Sequence, residues 1–136
     1  PNNYKSLMMK IIKKRKFDIK NASKNLWFSN NHLINLEKMG HLIGLHSNSH
    51  PMQMNSLHPN KQLDEYKKNF SHLSKVLNQE IISMSHPCGN YNEDTLMILK
   101  KLGIKIGFRS NSSFQEIVSS LEIPREDHSN ILEIIS

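Results

Sequence analysis

Two histidines separated by three residues are the side chains of this chain whose type and spacing best suit metal chemistry. His46 and His50 enclose a short polar stretch, and Pro51 follows directly. Imidazole nitrogens are common zinc ligands, and two of them can bind one ion when the turn between them brings both rings to one side. Because Pro51 disfavours helical backbone angles at His50, we expect a loop or a single turn. The chain contains eight histidines, so a pair at this spacing also arises by chance, and the spacing alone leaves metal binding open.

The segments on either side of the two histidines alternate between helical and extended patterns. Apolar residues at helical spacing predict helices over residues 4–16, 30–39, 61–77 and 94–102, and a last helix from Asn130. Short apolar runs predict strands over residues 17–19, 42–45, 81–84, 104–108 and 117–123. Gly40 and Gly103 end two of these helices. Residues 21–29 are expected to form a loop from which Trp27 and Phe28 pack inward.

Such alternation predicts an α/β fold with parallel strands. In this class, ligands bind at the carboxyl ends of the strands. The two richest polar loops begin at His46 and His86, and each comes directly after a predicted strand. We therefore expect both loops at one rim of the sheet.

The sequence around these loops resembles that of the polysaccharide deacetylases, which are the NodB-homology proteins of carbohydrate esterase family 4. Residues 40–51 read GHLIGLHSNSHP and match every fixed position of the family's second motif. Residues 85–92 read SHPCGNYN and are similar to its third motif, with Cys88 where Tyr is common. Residues 95–108 resemble the helix and strand that follow that motif. Residues 124–127, which include Arg125, resemble a late segment that carries an Arg in some members.

This resemblance implies a partial (β/α) barrel and a divalent metal, usually zinc, held by one Asp and two His. The metal would activate water against an acetamide carbonyl, with a second Asp as general base and a late His as general acid. Carried onto this sequence, it makes His46 and His50 the metal ligands. It also assigns the sugar groove to four residues of the third motif and to one late arginine. These are His86, Pro87, Gly89, Tyr91 and Arg125.

The chain departs from the family pattern at both ends. The first motif, which supplies the metal Asp and the base, is not recognisable, and its nearest counterpart is Asp18 within residues 16–19. The usual late His motif is also missing, which leaves His128 as the candidate general acid. Catalytic zinc generally has three protein ligands, so we expect poor metal retention unless a carboxylate comes from Asp18, Asp127 or another chain.

Without its first strand, the predicted sheet would have an open edge. The sequence therefore reads as a single, N-terminally truncated domain over residues 1–136. The N-terminal helix could cover the gap, or two copies could associate through the open edge.

Composition limits the remaining possibilities. The chain has 136 residues, 37% of them hydrophobic, which suits one globular domain. Its single cysteine, Cys88, excludes an internal disulfide and a cysteine-based zinc site. No apolar run reaches membrane-spanning length and no signal peptide is recognisable, so a cytoplasmic location is expected.

The sequence leaves three functions open. The first is a metal-dependent deacetylase domain for N-acetylated sugars, and the second is a non-catalytic relative that binds metal or carbohydrate. The third is a basic module for phosphate or nucleic acid, because the net charge is +6 and much of it lies in residues 10–20. Only one aromatic residue, Phe17, lies within this basic run, which argues against nucleic acid.

Overall fold

The computed structural model describes residues 2–24, 26–110, 112, 116–126 and 130–131. The chain divides into two compact units, Pro1–His32 and Leu33–Ser136. The described helices are α1 (Asn2–Lys14), α2 (Ile19–Lys24), α3 (Asn30–Lys38), α4 (Pro59–Leu77) and α5 (Glu93–Lys101). The described strands are β1 (Ser83–Ser85) and β2 (Ile106–Phe108). None of the described helices is long and apolar enough to cross a membrane.

The first unit contains α1 and α2. The predicted N-terminal amphipathic helix is confirmed, and the basic run over residues 10–20 is exposed except at Ile12. The predicted strand over residues 17–19 is wrong, because Asp18 starts a helix instead. Its carboxylate accepts a hydrogen bond from the Asn21 backbone N–H at 3.0 Å, which satisfies a free donor in the first turn of α2. The inward packing predicted for Trp27 and Phe28 is also wrong, since their exposed fractions are 74% and 73%.

The second unit is built on parallel strand pairing. Strand β1 pairs with β2 in parallel register, Met84 opposite Gly107. Single parallel bridges extend the ladder on both sides, from Leu45 to Met84 and from Phe108 to Ile123. The four extended segments thus lie side by side in chain order, with α4 and α5 as the crossovers between the first three. The predicted parallel α/β arrangement is confirmed. The strands predicted over residues 81–84 and 104–108 are shorter, and those predicted over residues 42–45 and 117–123 are reduced to single bridges at Leu45 and Ile123. The last predicted helix lies outside the described residues beyond residue 131.

Helix α4 matches its prediction closely because its ends are well defined. His58 caps its N-terminus by accepting a hydrogen bond from the Asn60 N–H, Pro59 occupies the first turn, and Asn78 adopts a left-handed conformation at the C-terminus. The core between the helices and the ladder is apolar. Its buried members are Leu45, Met54, Tyr66, Leu73, Ile81, Met84, Ile98, Leu99, Ile104 and Leu121.

A buried polar link joins α4 to α5. Asn92 and Thr95 form a reciprocal capping box at the start of α5. The Thr95 hydroxyl also donates to the Gln62 side chain of α4, and both side chains are fully buried. This link fixes α4 relative to α5. Helix α4 in turn contacts the loop that carries the two histidines.

Gly107 permits the closest approach between neighbouring segments of the ladder. A Cβ atom at this position would lie 2.5 Å from the backbone oxygen of Leu121, closer than any ordinary contact.

We expect Gly107→Ala to lower the free energy of unfolding by about 1–3 kcal/mol, because the segment at Leu121 must move away. Urea denaturation measures this change. Ser120→Ala, at an exposed neighbouring position, should change stability by no more than about 0.5 kcal/mol. Equal stability of the two variants would contradict the packing argument.

Candidate metal and sugar site

The carboxyl ends of the four parallel segments place polar side chains along one rim. His46 follows Leu45, His86 follows β1, Arg109 follows β2, and Arg125 lies two residues beyond Ile123. This is the end of a parallel sheet at which α/β proteins bind ligands. The prediction that the His46 and His86 loops share one rim is therefore confirmed.

Both the backbone and the ring of His46 are held in place. Its backbone N–H donates to the Asn69 side-chain oxygen at 2.9 Å. Its Nδ1 lies 2.8 Å from the backbone oxygen of Ser85. Because a carbonyl oxygen only accepts, Nδ1 must carry the proton, and Nε2 keeps the lone pair that a metal needs. Metal-binding histidines are usually oriented by such a contact from the other ring nitrogen.

The loop from His46 to His50 is not helical, as Pro51 predicted. Ser47 and His50 both have positive φ angles, 64° and 55°. The buried Ser47 hydroxyl accepts a hydrogen bond from the His50 N–H at 3.0 Å, which closes the loop from within. The loop therefore folds back so that its two histidine rings lie near each other.

The separation of the two rings suits a shared metal ion. The ring centroids of His46 and His50 are 4.8 Å apart, with their planes inclined by 60°. With Zn–N bonds of about 2 Å, two imidazoles on one tetrahedral ion have centroids roughly 5 Å apart. No group of three His, Cys, Asp or Glu side chains within the described part of the chain could complete a metal site. Asp127 lies outside the described residues, and Asp18 belongs to the first unit.

Sequence reasoning missed the residues of α4 that support this loop. The Glu65 carboxylate accepts hydrogen bonds from the backbone N–H groups of Asn48 and Ser49, at 3.0 and 2.7 Å. It also accepts one from the Ser49 hydroxyl at 2.7 Å. Glu65 and Asn69 are four positions apart and so occupy one face of the helix. This spacing on a helix that follows the loop was the available sequence signal.

The third-motif residues form a packed layer beside the histidine loop. The His86 ring is 1% exposed and its Nε2 donates to the backbone oxygen of Leu121 at 2.8 Å. Tyr91 stacks on this ring at a centroid distance of 4.1 Å. Pro87 is buried. Gly89 has a positive φ angle of 63° and turns the chain between Pro87 and Tyr91. His86 thus lies beneath Tyr91, and its predicted contact with substrate stays a prediction.

Burial also sets the protonation of this layer. It lowers the pKa of His86, since the charged imidazolium would lose its hydration there. Burial likewise raises the pKa of Tyr91, and a hydrogen bond to Glu122 raises it further. Both groups are therefore neutral near pH 7, and the layer presents the phenol of Tyr91 beside the histidine loop.

A cavity of about 430 Å³ lies beside the extended segment that ends at His46 and next to strands β1 and β2. Its lining includes His46, Ser83, Ser85, Phe108 and Arg125. The structure therefore brings two of the predicted site residues, His46 and Arg125, to one cavity. His128, the candidate general acid, lies outside the described residues.

Comparison with known proteins agrees with this geometry. The family model for polysaccharide deacetylases matches residues 6–107. This chain belongs to the polysaccharide deacetylase family. The match covers α1 from residue 6 onward, helices α2 to α5, the histidine loop, the third motif and the first two residues of β2. A comparison with curated proteins found no match.

Solved deacetylase structures share the fold. The deacetylase PplD of Streptococcus pyogenes, solved with acetate, is 24% identical with a TM-score of 0.64, and the alignment covers 80% of this chain and 51% of that one. The BpsB deacetylase domain of Bordetella bronchiseptica is 16% identical with a TM-score of 0.63, and the coverage is 74% and 48%. A carbohydrate esterase family 4 pseudoenzyme from Bacillus anthracis is 17% identical with a TM-score of 0.53, and the coverage is 76% and 37%.

The chain thus spans about half the length, or less, of these structures. The likeness confirms the predicted fold, an α/β partial (β/α) barrel of the polysaccharide deacetylase type. Within the described residues, no strand precedes Leu45 in the ladder.

Burial of a neutral His86 predicts a dependence of stability on pH. The unfolded chain takes up a proton at this residue below about pH 6.5, whereas the folded chain resists it, so stability falls as the pH drops below that value. We expect His86→Gln to lose less unfolding free energy than the unchanged chain between about pH 7.5 and 5.5. Urea denaturation across this range measures the difference. His72→Gln, which replaces an exposed histidine of α4, is the control, and equal pH dependence in all three proteins would contradict the prediction.

Proposed function

We propose that this chain carries the two-histidine part of a metal-dependent N-deacetylase site that acts on N-acetylated sugars of a surface glycan or polysaccharide. One observation carries the proposal. The Nδ1 of His46 bonds the Ser85 backbone oxygen, which leaves its Nε2 available for a metal. The ring centroids of His46 and His50 are 4.8 Å apart. Family membership gives the reaction class, while the metal and the sugar substrate belong to the proposal.

The donor set favours zinc. Two neutral imidazoles suit zinc better than magnesium or calcium, which prefer oxygen ligands. A divalent ion bound there would polarise the acetamide carbonyl and make a bound water more acidic. The chain itself holds the two imidazoles on a closed loop. Their rings would therefore need little rearrangement when the ion binds.

The sugar would lie along the same rim. Tyr91 has one ring face against His86 and its hydroxyl near Glu122, so its orientation is fixed before a ligand arrives. The segment from Pro87 to Tyr91 would form one wall of the groove. Arg125, on the cavity that also reaches His46, would donate hydrogen bonds to sugar oxygens or to a catalytic carboxylate. His128 remains the proposed general acid.

Among the described residues, no third His, Cys, Asp or Glu side chain forms a metal-binding group with the two histidines. Catalytic zinc sites usually have three protein ligands, so we expect weak metal retention and impaired turnover from this chain. The same observation supports a second candidate, a non-catalytic relative that binds metal or carbohydrate. The fold likeness to a pseudoenzyme of carbohydrate esterase family 4 supports that candidate as well.

Zinc titration by calorimetry tests the metal site. We expect one zinc ion per chain, and at least about tenfold weaker binding after His46→Ala, because half of the described ligand set is then gone. His72→Ala removes an exposed histidine from α4 and serves as the matched control. Equal affinity in the His46→Ala and His72→Ala proteins would show that the zinc binds elsewhere.

Release of acetate from N-acetylglucosamine oligomers separates the two candidates. A deacetylase predicts slow acetate release that increases with added zinc and disappears after His50→Ala, since the metal then loses a ligand. A non-catalytic relative predicts no release from either protein, with zinc binding or oligomer binding retained. Acetate release that His50→Ala leaves unchanged would contradict the assigned site.

A further inference from the structure

We propose that Glu65 and Asn69 of α4 are positioning residues, which hold the His46–His50 loop and the His46 ring in the arrangement that a metal requires. The inference rests on the function proposed above. Neither residue belongs to the sequence motifs that carry the two histidines. Their role follows from four hydrogen bonds between one face of a single helix and one loop.

Glu65 engages the middle of the loop with both carboxylate oxygens. One oxygen accepts the N–H groups of Asn48 and Ser49, and the other accepts the Ser49 hydroxyl. Hydrogen bonds to a charged carboxylate are stronger than those between neutral groups. The three bonds converge on consecutive residues, so they fix the direction of the backbone and not only its position.

The loop needs such support because its backbone is strained. The positive φ angles at Ser47 and His50 belong to residues other than glycine. Such a conformation is unfavourable for an L-residue and persists only when surrounding contacts impose it. The strained residues are the histidine ligand His50 and the residue next to His46. Release of the loop would therefore change the separation and tilt of the two rings.

Asn69 acts on His46 itself. Its side-chain oxygen accepts the His46 N–H at 2.9 Å, one helical turn beyond Glu65. The Ser85 carbonyl then bonds Nδ1 of the same residue. The backbone of His46 is thus fixed by α4 and its ring by β1. This combination holds the Nδ1–H tautomer and leaves Nε2 as the metal donor.

The neighbouring carboxylate of α4 provides a matched control. Asp64 makes an exposed ion pair with Lys68 at 2.7 Å, and no contact joins it to the histidine loop in the described structure. Asp64→Ala therefore removes the same charge from the same helix without a direct effect on the loop. Glu65→Gln keeps a geometry that accepts both N–H groups while its amide faces the Ser49 hydroxyl, so it should rescue most of the effect of Glu65→Ala.

The experiment combines two metal-free measurements and one metal-dependent measurement on the full chain. In the metal-free protein, hydrogen exchange of the Asn48 and Ser49 amides and the imidazole nitrogen shifts of His46 report the loop and the tautomer. Cobalt(II) titration, followed by visible absorption, then reports affinity and ligand geometry. For Glu65→Ala we expect at least about tenfold faster amide exchange, mixed His46 tautomers and 10–100-fold weaker cobalt binding. Glu65→Gln and Asp64→Ala should stay close to the unchanged chain.

Asn69→Ala is the second variant, since it should disturb the His46 tautomer even if Glu65→Ala fails to fold. Unchanged amide exchange and tautomer in the folded variants would overturn the proposal. Equal losses in Asp64→Ala and Glu65→Ala would also overturn it, because the effect would then belong to the helix. If the unchanged chain binds no cobalt, the proposed metal function fails, and the metal-free measurements still decide the role of Glu65 and Asn69.

Discussion

The parallel pairing of Leu45 with β1 is the constraint on which the histidine site depends. The Leu45 N–H donates to Ser83 O and the Ser85 N–H donates to Leu45 O, both at 2.9 Å. This register brings the Ser85 carbonyl to the His46 ring, where it selects the tautomer. A strand shifted by one residue would turn the side chains of this segment to the opposite face of the sheet. The chemistry of His46 therefore follows from a backbone register, and the apolar core around Leu45 and Met84 maintains that register.

Helix α4 also supports the histidine site, and its two faces make different contacts. Tyr66 and Leu73 are buried in the core, while Glu65 and Asn69 bond the loop. The buried link between Gln62 and Thr95 ties the same helix to α5. A displacement of α4 would thus change core packing, the start of α5 and the histidine loop together. This coupling explains how a loop with two strained residues can be a fixed part of the structure.

The sequence allowed much of the second unit to be predicted, because its signals are local. Helical periodicity, caps and the glycines after helices gave α3, α4 and α5 within a few residues, and the apolar runs gave the parallel segments. The first unit was predicted less well. At residues 17–19 the short apolar pattern favoured a strand, but the Asp18 side chain capped a helix. Trp27 and Phe28 were assigned to a core by residue type alone. Residue type does not show whether other apolar side chains lie close enough to bury them.

The site was predictable where residue type determines chemistry and unpredictable where tertiary contact does. Spacing and resemblance pointed to His46 and His50, but only the fold shows that the Ser85 carbonyl selects the tautomer of His46. Similarly, the resemblance to the third motif assigned His86 to the sugar groove, and only the fold shows that its ring is buried and stacked on Tyr91. Its contact with substrate stays a prediction. Glu65 and Asn69 were missed because three of their four bonds go to backbone N–H groups, whose positions depend on tertiary structure. The four-residue spacing of the two side chains was the only signal that the sequence offered for them.

The hydrogen bonds of Glu65 also bear on the missing metal ligand. Glu65 is the described carboxylate that contacts the histidine loop, yet both of its oxygens are already engaged by that loop. Three of the roughly four lone-pair positions of this carboxylate accept hydrogen bonds from the loop. A metal bound to Glu65 would therefore compete with the bonds that support the backbone at Ser47 and His50. A neutral pair of imidazoles also leaves the two positive charges of a divalent ion uncompensated. Under the proposed function, tight metal binding would therefore favour a third ligand from a carboxylate that does not hold the loop, and the presence of such a carboxylate would distinguish an active deacetylase from a non-catalytic relative.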